Sequence, residues 1–357
     1  MTTSGHTVLV TGGAGYFGSL LVQRLVDRGS RVRILDVNQP DPAIPGVTVV
    51  QGDVRDAETV RRACEGVDQI HHNVALVPLA RDTAGFWSVN EGGTRTLLEA
   101  ALATGVRKVV HMSSSAVYGA PEINPVNETT PGNPGEEYGR AKLAAEHVCH
   151  DFRRRGLDIT IIRPRTIMGH GRLGIMQILF EWIRQGAPVP VLGGGRNTYQ
   201  FVHADDLADA CLAAAERSGA TDYNIGATEF GTMLETLHGL AMHAGTGSKV
   251  VSVPMRPAEL LTRLAGSIGI SPLGPYHALM YGRALWFDVS KARQELGYQP
   301  RFSNIQMLCH SYDWYLAHRA QIMARRASSP HSMAVKQQAL RFLPGVLAWL
   351  PAAGSRS

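Results

Sequence analysis

The sequence predicts an α/β fold, a doubly wound parallel sheet followed by a smaller C-terminal lobe. Two observations support this prediction. Short apolar segments alternate with longer segments in which apolar residues recur at helical spacing. Glycine-rich turns separate these segments, and the chain of 357 residues contains 38 glycines, which suits tight strand-to-helix connections. Strands that alternate with helices form parallel sheets with helices on both faces.

The alternation is regular as far as Pro164. The first strand is apolar and precedes a glycine-rich turn, and the helix that follows ends at Arg28-Gly29. Later strands are further apolar runs between helices and turns. The predicted strands are 7–10, 31–36, 47–51, 69–72, 108–112 and 158–163, and the predicted helices are 19–26, 57–64, 90–104 and 138–154.

Beyond Pro164 the pattern becomes irregular. We expect a first domain over 1–164, a substrate-binding lobe over 165–318 with segments that return to the main sheet, and a tail over 319–357. Within the lobe, the sequence predicts helices over 175–185 and 204–217, a turn-rich connector over 189–195, strands over 201–203 and 222–225, and mostly helical structure from about 230 to 318.

Composition and charge narrow the classes of function. The net charge is +5, which suits an anionic ligand such as a dinucleotide or a nucleotide sugar, or an acidic membrane surface. No dense stripe of Lys and Arg with interleaved aromatic residues occurs, so nucleic acid is not expected as a partner. The four cysteines form no CxxC pair, which argues against a zinc site and a disulfide framework. The sequence shows no signal peptide and no apolar run of about 20 residues, so we expect a cytoplasmic protein.

The tail combines basic residues with the apolar stretches 339–343 and 346–350. This pattern is typical of a basic amphipathic segment in peripheral contact with a membrane. The alternative is a helix that packs on the protein's own surface or on a partner subunit, and Pro344-Gly345 interrupts the pattern.

The turn after the first strand has the composition of a dinucleotide-binding loop. In the run TGGAGYFG, Gly12, Gly15 and Gly18 lie between a strand and a helix. There the backbone can approach a pyrophosphate, and the N-terminus of the helix offers free amides. Tyr16 and Phe17 belong to the same turn, and we expect all five residues to contact the cofactor.

Asp36 ends the second strand, about 18 residues after Gly18. A carboxylate at this position accepts hydrogen bonds from the ribose hydroxyls of NAD and repels the extra phosphate of NADP, so NAD is the predicted cofactor. Asp53 and Val54 follow the third strand and are predicted to touch the adenine ring. The alternative is a helix cap formed by Asp53 or Asp56.

Tyr138 and Lys142 form a YxxxK pattern within a predicted helix, which places both side chains on one face. A tyrosine with a pKa of about 10 is a poor base at neutral pH, and a neighbouring ammonium stabilises the phenolate and lowers its pKa. Ser114, at the end of the fifth strand, can hydrogen-bond a substrate oxygen. These residues predict general acid–base catalysis coupled to hydride transfer at a carbon that bears oxygen.

Three histidines, His71, His72 and His111, lie inside predicted strands. They lack the acidic companions of a metal site. We therefore expect buried or hydrogen-bonded histidines and no bound metal.

Together, these motifs resemble those of the extended short-chain dehydrogenases/reductases. The resemblance extends from about residue 6 to 315. It implies a Rossmann-type sheet, places Asn90 in the helix behind the nicotinamide, and assigns the catalytic hydroxyl to Ser114 by its distance from Val117. Tyr138 and Lys142 take a cofactor-binding role as well, and a homodimer is expected by analogy. Besides the glycine loop and YGRAK, the matching runs are GDV, VDQIHHNVA, VNEGGT, SSSAVYG, IIRP, FVHADDLADA and FDVSKARQELGYQP.

The family includes nucleotide-sugar epimerases, sugar dehydratases and enzymes similar to 3β-hydroxysteroid dehydrogenase. Sugar 4,6-dehydratases carry an Asp-Glu pair directly after the catalytic hydroxyl, and Ser115-Ala116 stands there in this sequence, which disfavours dehydration. Our first choice is an epimerase acting on a nucleotide sugar. In this reaction Tyr138 takes the hydroxyl proton while NAD takes the hydride, the keto intermediate rotates, and the hydride returns to the other face.

The sequence leaves two alternatives to the epimerase function open. One is a 3β-hydroxysteroid-like or other lipid-alcohol dehydrogenase whose substrate is a sterol-like alcohol. The other is a non-catalytic NAD-binding regulator, against which the retention of Ser114, Tyr138 and Lys142 argues.

Two positions depart from the pattern of sugar-nucleotide enzymes. Those enzymes often have an Asn shortly after the Arg-Pro of the sixth strand, where this chain has Arg165-Thr166-Ile167. They often place a diphosphate-gripping Arg two residues before the FVH strand, where this chain has Tyr199. The arginines that could compensate are Arg163, Arg165, Arg172 and Arg196.

Overall fold

The computed structural model describes residues 5–77, 83–172, 175–255, 281–324 and 353. The strands, in chain order, are β1 (Thr7–Thr11), β2 (Arg31–Asp36), β3 (Thr48–Gln51), β4 (Gln69–His72), β5 (Lys108–Met112), β6 (Ile159–Pro164), β7 (Thr166–Met168), β8 (Val189–Leu192), β9 (Thr198–Tyr199), β10 (Phe201–His203), β11 (Thr221–Ile225), β12 (Gly231–Thr232) and β13 (Val250–Val253). The helices are α1 (Tyr16–Asp27), α2 (Ala57–Cys64), α3 (Thr83–Gly85), α4 (Gly93–Ala103), α5 (Glu137–Arg154), α6 (Ile175–Arg184), α7 (Ala204–Glu216), α8 (Met233–Ala244), α9 (Ser290–Leu296) and α10 (Asn304–Ala324). A π-helical stretch, Phe86–Gly92, joins α3 to α4, and a short 3-10 helix covers Ser115–Tyr118.

Seven of the described strands form the central sheet, in the order β11-β6-β5-β4-β1-β2-β3. All six neighbouring pairs are parallel. The predicted doubly wound α/β fold is therefore confirmed. The expected return of the C-terminal half to the sheet is seen in β11, which adds the seventh strand beside β6.

Successive side chains of each central strand pack on opposite faces of the sheet, as the period of a strand requires. In β1, Val8 and Val10 pack with α1 and α7 on one face. Leu9 points to the other face, among the apolar side chains of α2, α4 and α5. Both faces are dry and covered by helices, and the carboxyl ends of the strands are left to form one common edge.

A smaller lobe has a hydrophobic core of its own. Side chains of α6, α8 and α10 meet there, together with the parallel pair β8 and β13. Ala353 is buried in this core, and its backbone N–H donates to the carbonyl oxygen of Val250 at 2.7 Å. At least this residue of the tail packs on the protein's own lobe.

One prediction for the lobe is wrong. The stretch 189–195, expected as a turn-rich connector, begins with β8, whose partner β13 lies in the region predicted to be mostly helical. The two strands pair in parallel, with Val189 opposite Val250. Pro190 obscured the first strand in the sequence, yet a proline is tolerated in a two-stranded sheet because each strand has an edge without ladder bonds.

Parts of other predictions lie outside the described residues. These are the region 256–280 of the expected helical lobe and nearly all of the tail beyond Ala324. The domain boundaries at 164 and 318 stay predictions. A search of the described helices finds none that is long and apolar enough to cross a membrane.

Candidate active site

The glycine turn forms a tight cradle between β1 and α1. Gly12 has a φ of +70° and donates its N–H to the carbonyl oxygen of Leu35 at 2.9 Å. A Cβ atom at Gly18 would lie 2.0 Å from the carbonyl oxygen of Gly12, and one at Gly12 would lie 3.0 Å from the backbone nitrogen of Val74. These positions therefore require glycine on steric grounds.

The N-terminus of α1 opens into this cradle. Gly15 is its N-cap, and within the described chain no side chain caps the helix and no acidic residue lies in its first turn. The first-turn amides are thus available to an anion, which the helix dipole also favours. Phe17 is buried in the sheet core, so only its backbone can contribute to a site here. Tyr16 has a buried hydroxyl, and the Arg172 guanidinium lies 5.6 Å from its ring centre.

Asp36 lies beside the cradle, at the end of β2. Its carboxylate accepts the N–H of Ala14 at 3.0 Å and the N–H of Asn38 at 2.9 Å. These two bonds fix the carboxylate next to the glycine turn. Ala14 was not singled out by the sequence, because nothing in its residue type shows that its backbone N–H positions Asp36.

Asp53 and Asp56 have different roles in the structure. Asp56 caps α2 by accepting the N–H of Glu58 at 3.2 Å. Asp53 is paired with Arg55 at 2.5 Å, and hydrogen bonds from Arg55 lower the pKa of Asp53. Val54 is buried and packs against Gly93. The cap is therefore Asp56, and an adenine contact at Asp53 and Val54 stays a prediction.

Asn90 anchors the loop that follows β4. Its amide accepts the N–H of Leu76 at 2.8 Å and donates to the carbonyl oxygen of the same residue at 3.1 Å. The residue is buried and belongs to the π-helical stretch, a local irregularity that is frequent at functional sites. Asn90 thus holds the loop whose backbone at Val74 lies against Gly12 of the glycine cradle.

The strand histidines are buried, as expected. His72 is held between the hydroxyls of Thr11 at 2.7 Å and Thr94 at 3.0 Å. His71 and His111 have no hydrogen-bond partner for either ring nitrogen among the described residues. Burial lowers the pKa of His71 to about 4 and that of His72 to about 3, and places that of His111 well below its usual value. All three are therefore neutral at physiological pH.

Ser114 and Tyr138 meet at the carboxyl edge of the sheet. Ser114 follows β5 and accepts the N–H of Ala116 at 3.2 Å, which starts the 3-10 helix. Tyr138 lies in the first turn of α5, where the Glu136 carboxylate accepts its N–H at 2.9 Å. The Ser114 hydroxyl is hydrogen-bonded to the Tyr138 hydroxyl. The structure thus brings together two of the three predicted catalytic side chains.

Lys142 lies one turn after Tyr138 on α5 and is 1% exposed. Its ammonium donates to the carbonyl oxygen of Met112 at 2.6 Å. Burial lowers the pKa of Lys142 to about 8. The ammonium is therefore charged at pH 7 but much closer to deprotonation than an exposed lysine.

The expected lowering of the Tyr138 pKa is not seen. Burial raises it to about 12, against the opposing effects of the Ser114 hydrogen bond and the Arg172 charge. Lys142 is not among the groups that chiefly set this pKa, because its ammonium is directed to the Met112 carbonyl. Desolvation of the phenolate thus outweighs the stabilisation by nearby charge that the YxxxK spacing suggested.

A buried ionic network lies next to the predicted catalytic residues, and the sequence did not indicate it. Glu146, one turn after Lys142, accepts the Ser113 hydroxyl at 2.5 Å. Arg163 donates to both oxygens of Glu146, at 2.9 and 2.7 Å, and to Asp222 at 2.9 Å. This network ties α5 to the ends of β5 and β6, and so fixes Ser114 relative to Tyr138.

The four arginines considered as anion ligands have different environments. Arg163 is engaged by Glu146 and Asp222 as described. Arg196 is exposed. Arg172 lies near Tyr16 and acts on the pKa of Tyr138. Arg165 is buried, with its guanidinium over the ring of Tyr199 at 4.7 Å.

These features fit a bound dinucleotide. The cradle has no room for a side chain at Gly12 or Gly18, uncapped amides of α1 face it, and the Asp36 carboxylate is fixed at its edge. This is the donor and acceptor set that a pyrophosphate and an adenosine ribose require.

Comparisons with known proteins agree with this geometry. The family model described as "NAD dependent epimerase/dehydratase family" matches residues 8–226. The uncharacterized protein y4nG of Sinorhizobium fredii is 53% identical over 97% of this chain and 87% of its own. The 3 beta-hydroxysteroid dehydrogenase/Delta 5-->4-isomerase of Mycobacterium tuberculosis is 32% identical, covering 89% and 92%. The UDP-glucose 4-epimerase of Mycolicibacterium smegmatis is 30% identical, covering 86% and 97%.

Solved structures show the same fold with cofactor bound. The UDP-glucose 4-epimerase of Thermus thermophilus in complex with NAD superposes with a TM-score of 0.71 at 28% identity, covering 87% of this chain and 99% of that one. MoeE5 in complex with UDP-glucuronic acid and NAD gives a TM-score of 0.72 at 25% identity, covering 88% and 99%.

Proposed function

The chain belongs to the NAD dependent epimerase/dehydratase family of extended short-chain dehydrogenases/reductases, and from this premise we propose that it is a nucleotide-sugar epimerase. It is an NAD-dependent enzyme, as its family and structural neighbours are. The observation that carries the redox chemistry is the hydrogen-bonded pair of Ser114 and Tyr138 at the carboxyl edge of the sheet, and the likeness to UDP-glucose 4-epimerases supports epimerisation. We assign these two residues and Lys142 to catalysis.

In the proposed reaction, Tyr138 moves the proton of a secondary alcohol. Bound NAD supplies the hydride acceptor and donor. The Ser114 hydroxyl orients the substrate oxygen toward Tyr138, since it already hydrogen-bonds that phenol. Because burial raises the pKa of Tyr138 to about 12, the phenol holds its proton firmly, and cationic groups around it are needed for it to act as a base.

Lys142 is the buried cation on the same helix face. Its bond to Met112 fixes the ammonium at the end of β5, behind the catalytic pair. Glu146 and Arg163 act as positioning residues, since Glu146 accepts the Ser113 hydroxyl and Arg163 donates to Glu146. In this proposal Tyr138 carries the proton, the Ser114 hydroxyl orients the substrate, and Lys142 is the buried cation.

A specific observation favours a second candidate. The steroid dehydrogenase of Mycobacterium tuberculosis is as similar to this chain as the epimerase relatives are. A 3β-hydroxysteroid-like dehydrogenase would use the same catalytic residues with net oxidation of a lipid alcohol. Dehydration is disfavoured because Ser115 and Ala116 supply neither an acid nor a base next to Ser114.

The first experiment is to denature the purified protein and quantify the dinucleotide released. Near-stoichiometric NAD supports a closed hydride cycle, and hence an epimerase. Empty protein that binds NAD reversibly favours the dehydrogenase, and sterol-like alcohols would be tried next.

The second experiment measures interconversion of UDP-glucose and UDP-galactose by wild type and by Tyr138→Phe. The variant should keep its NAD and lose at least about 100-fold in turnover, the contribution of a positioned proton carrier. Tyr223→Phe is the matched control, because Tyr223 lies on the edge strand β11 and its hydroxyl donates to Glu295 of α9. Equal turnover in Tyr138→Phe and wild type would contradict the assigned role.

A further inference from the structure

Arg165 is a buried cation that has no hydrogen-bond partner among the described residues. It follows β6 directly, at the carboxyl edge of the central sheet, where ligands of open parallel sheets bind. The residue is 1% exposed. Within the described structure, none of its three guanidinium nitrogens donates a hydrogen bond. Buried charged side chains are normally paired, so this exception calls for a functional explanation.

Aromatic rings surround the guanidinium in place of acceptors. The ring centres of Tyr199 and Phe287 lie 4.7 and 5.5 Å from it. Such contacts attract a cation, but they satisfy none of its five N–H donors. The rings therefore hold the guanidinium in place and leave its hydrogen-bonding edge to another group.

Arg165 and the proposed catalytic pair lie at neighbouring strand ends, because Arg165 follows β6 and Ser114 follows β5, which pairs with β6. Tyr281 stacks on Tyr199 with ring centres 5.7 Å apart, and the charges of Arg165 and Arg172 both act on the Tyr281 phenol. Arg172 in turn acts on Tyr138. Arg165 and Arg172 are thus two positive charges that act on tyrosines of this region.

The other arginines considered do not match this environment. Arg163 is engaged by Glu146 and Asp222. Arg196 is exposed and offers no preorganised site. Position 199, where sugar-nucleotide enzymes often carry an arginine, is a tyrosine here, and the guanidinium of Arg165 covers its ring. The cation from the end of β6 thus lies against the side chain at position 199.

We propose that Arg165 binds an anionic group of the substrate, a phosphate or a carboxylate, through its free guanidinium edge. Arginine suits this role because its planar donors match such groups in pairs. The proposal rests on the proposed function, in which the substrate is a nucleotide sugar. Since the guanidinium is enclosed, an incoming anion must displace a neighbouring group, and the rings of Tyr199 and Phe287 lie against it.

The test begins with inorganic pyrophosphate as a probe that needs no sugar. The NAD-loaded wild type, Arg165→Met and Arg165→Lys are melted with and without pyrophosphate, with Arg196→Met as the exposed control. We expect pyrophosphate to raise the Tm of wild type and Arg196→Met. The increase should vanish in Arg165→Met and be reduced in Arg165→Lys. A wild type without an increase, or an equal increase in Arg165→Met, would overturn the proposal.

The melting temperature without probe separates a structural role from a binding role. A guanidinium kept for binding leaves the Tm of Arg165→Met equal to or above that of wild type, because an unpaired buried charge is removed. A lower Tm together with an unchanged response to pyrophosphate would assign Arg165 to packing against the two rings.

Nucleotide ligands then identify the anion. Calorimetry compares UDP, UDP-glucose and UDP-glucuronic acid on wild type and Arg165→Met. A loss of at least tenfold in affinity for all three places the diphosphate on Arg165, and a loss confined to UDP-glucuronic acid places the sugar carboxylate there. If wild type binds none of them but still responds to pyrophosphate, the nucleotide-sugar function fails and the anion site stands.

Discussion

We expect the buried charge of Lys142 to lower the free energy of unfolding, which the sequence alone would not suggest. The residue is 1% exposed, and burial lowers the pKa of its ammonium from 10.5 to about 8. Below pH 8 both the folded and the unfolded chain carry the charge, so the folded protein bears the full burial penalty. Because a tenfold change in a protonation equilibrium corresponds to about 1.4 kcal/mol, this penalty is about 3 kcal/mol.

The perturbation is Lys142→Met, which removes the charge and keeps most of the volume. In the NAD-free protein at pH 7, the variant should be more stable than wild type by up to about 3 kcal/mol. Between pH 8 and 10.5 the unfolded wild type binds more protons than the folded protein, so wild-type stability rises with pH. The difference between variant and wild type should therefore shrink by about 2 kcal/mol between pH 7 and pH 9.5.

Urea unfolding of both proteins at the two pH values measures this difference. Lys249→Met is the matched control, because Lys249 is exposed and the same substitution there should change little at either pH. A stability difference between Lys142→Met and wild type that stays the same from pH 7 to 9.5 would refute the reasoning. The variant should also lose turnover, so stability would be gained at the expense of function.

Two further predictions concern the cradle and the ionic network. Gly18→Ala should weaken NAD binding at least about tenfold in calorimetry and lower stability by about 1–3 kcal/mol, because its new Cβ would lie 2.0 Å from a backbone oxygen. Gly92→Ala is its control: that residue is helical and meets only an ordinary contact at 3.8 Å, so stability should rise by about 0.5–1 kcal/mol. Glu146→Gln should lower the free energy of unfolding by about 3 kcal/mol, since it leaves the buried Arg163 without its bidentate partner. Glu91→Gln, which breaks an exposed pair, should cost less than about 1 kcal/mol, and equal losses in the two glutamate variants would contradict the role given to the network.

The central sheet could be predicted because its information is local. Each strand is an apolar run bounded by turns, and the glycine cradle is formed by consecutive residues from Gly12 to Gly18. Tyr138 and Lys142 were found for the same reason, because one helix turn sets their spacing.

Features that depend on distant pairing were not predictable. Glu146 and Arg163 lie in different elements, and nothing in either segment shows that their side chains meet. β8 and β13 pair only across the lobe core, and they are far apart in the sequence. The pKa of Tyr138 was misjudged because spacing gives the neighbouring cation but not the extent of burial.

Three separate sets of side chains form the hydrophobic core of the lobe and the cores on the two faces of the central sheet. A substitution inside the lobe can therefore reshape the proposed substrate-binding side without disturbing the cradle or the pair of Ser114 and Tyr138. The effects of substitutions on stability are largely additive where the sites do not contact each other. Enzymes with unlike substrates can therefore share the same residues at the end of the sheet and differ in the lobe. Relatives named for a sugar epimerase and for a steroid dehydrogenase, at nearly equal distance from this chain, are the outcome such a division would produce.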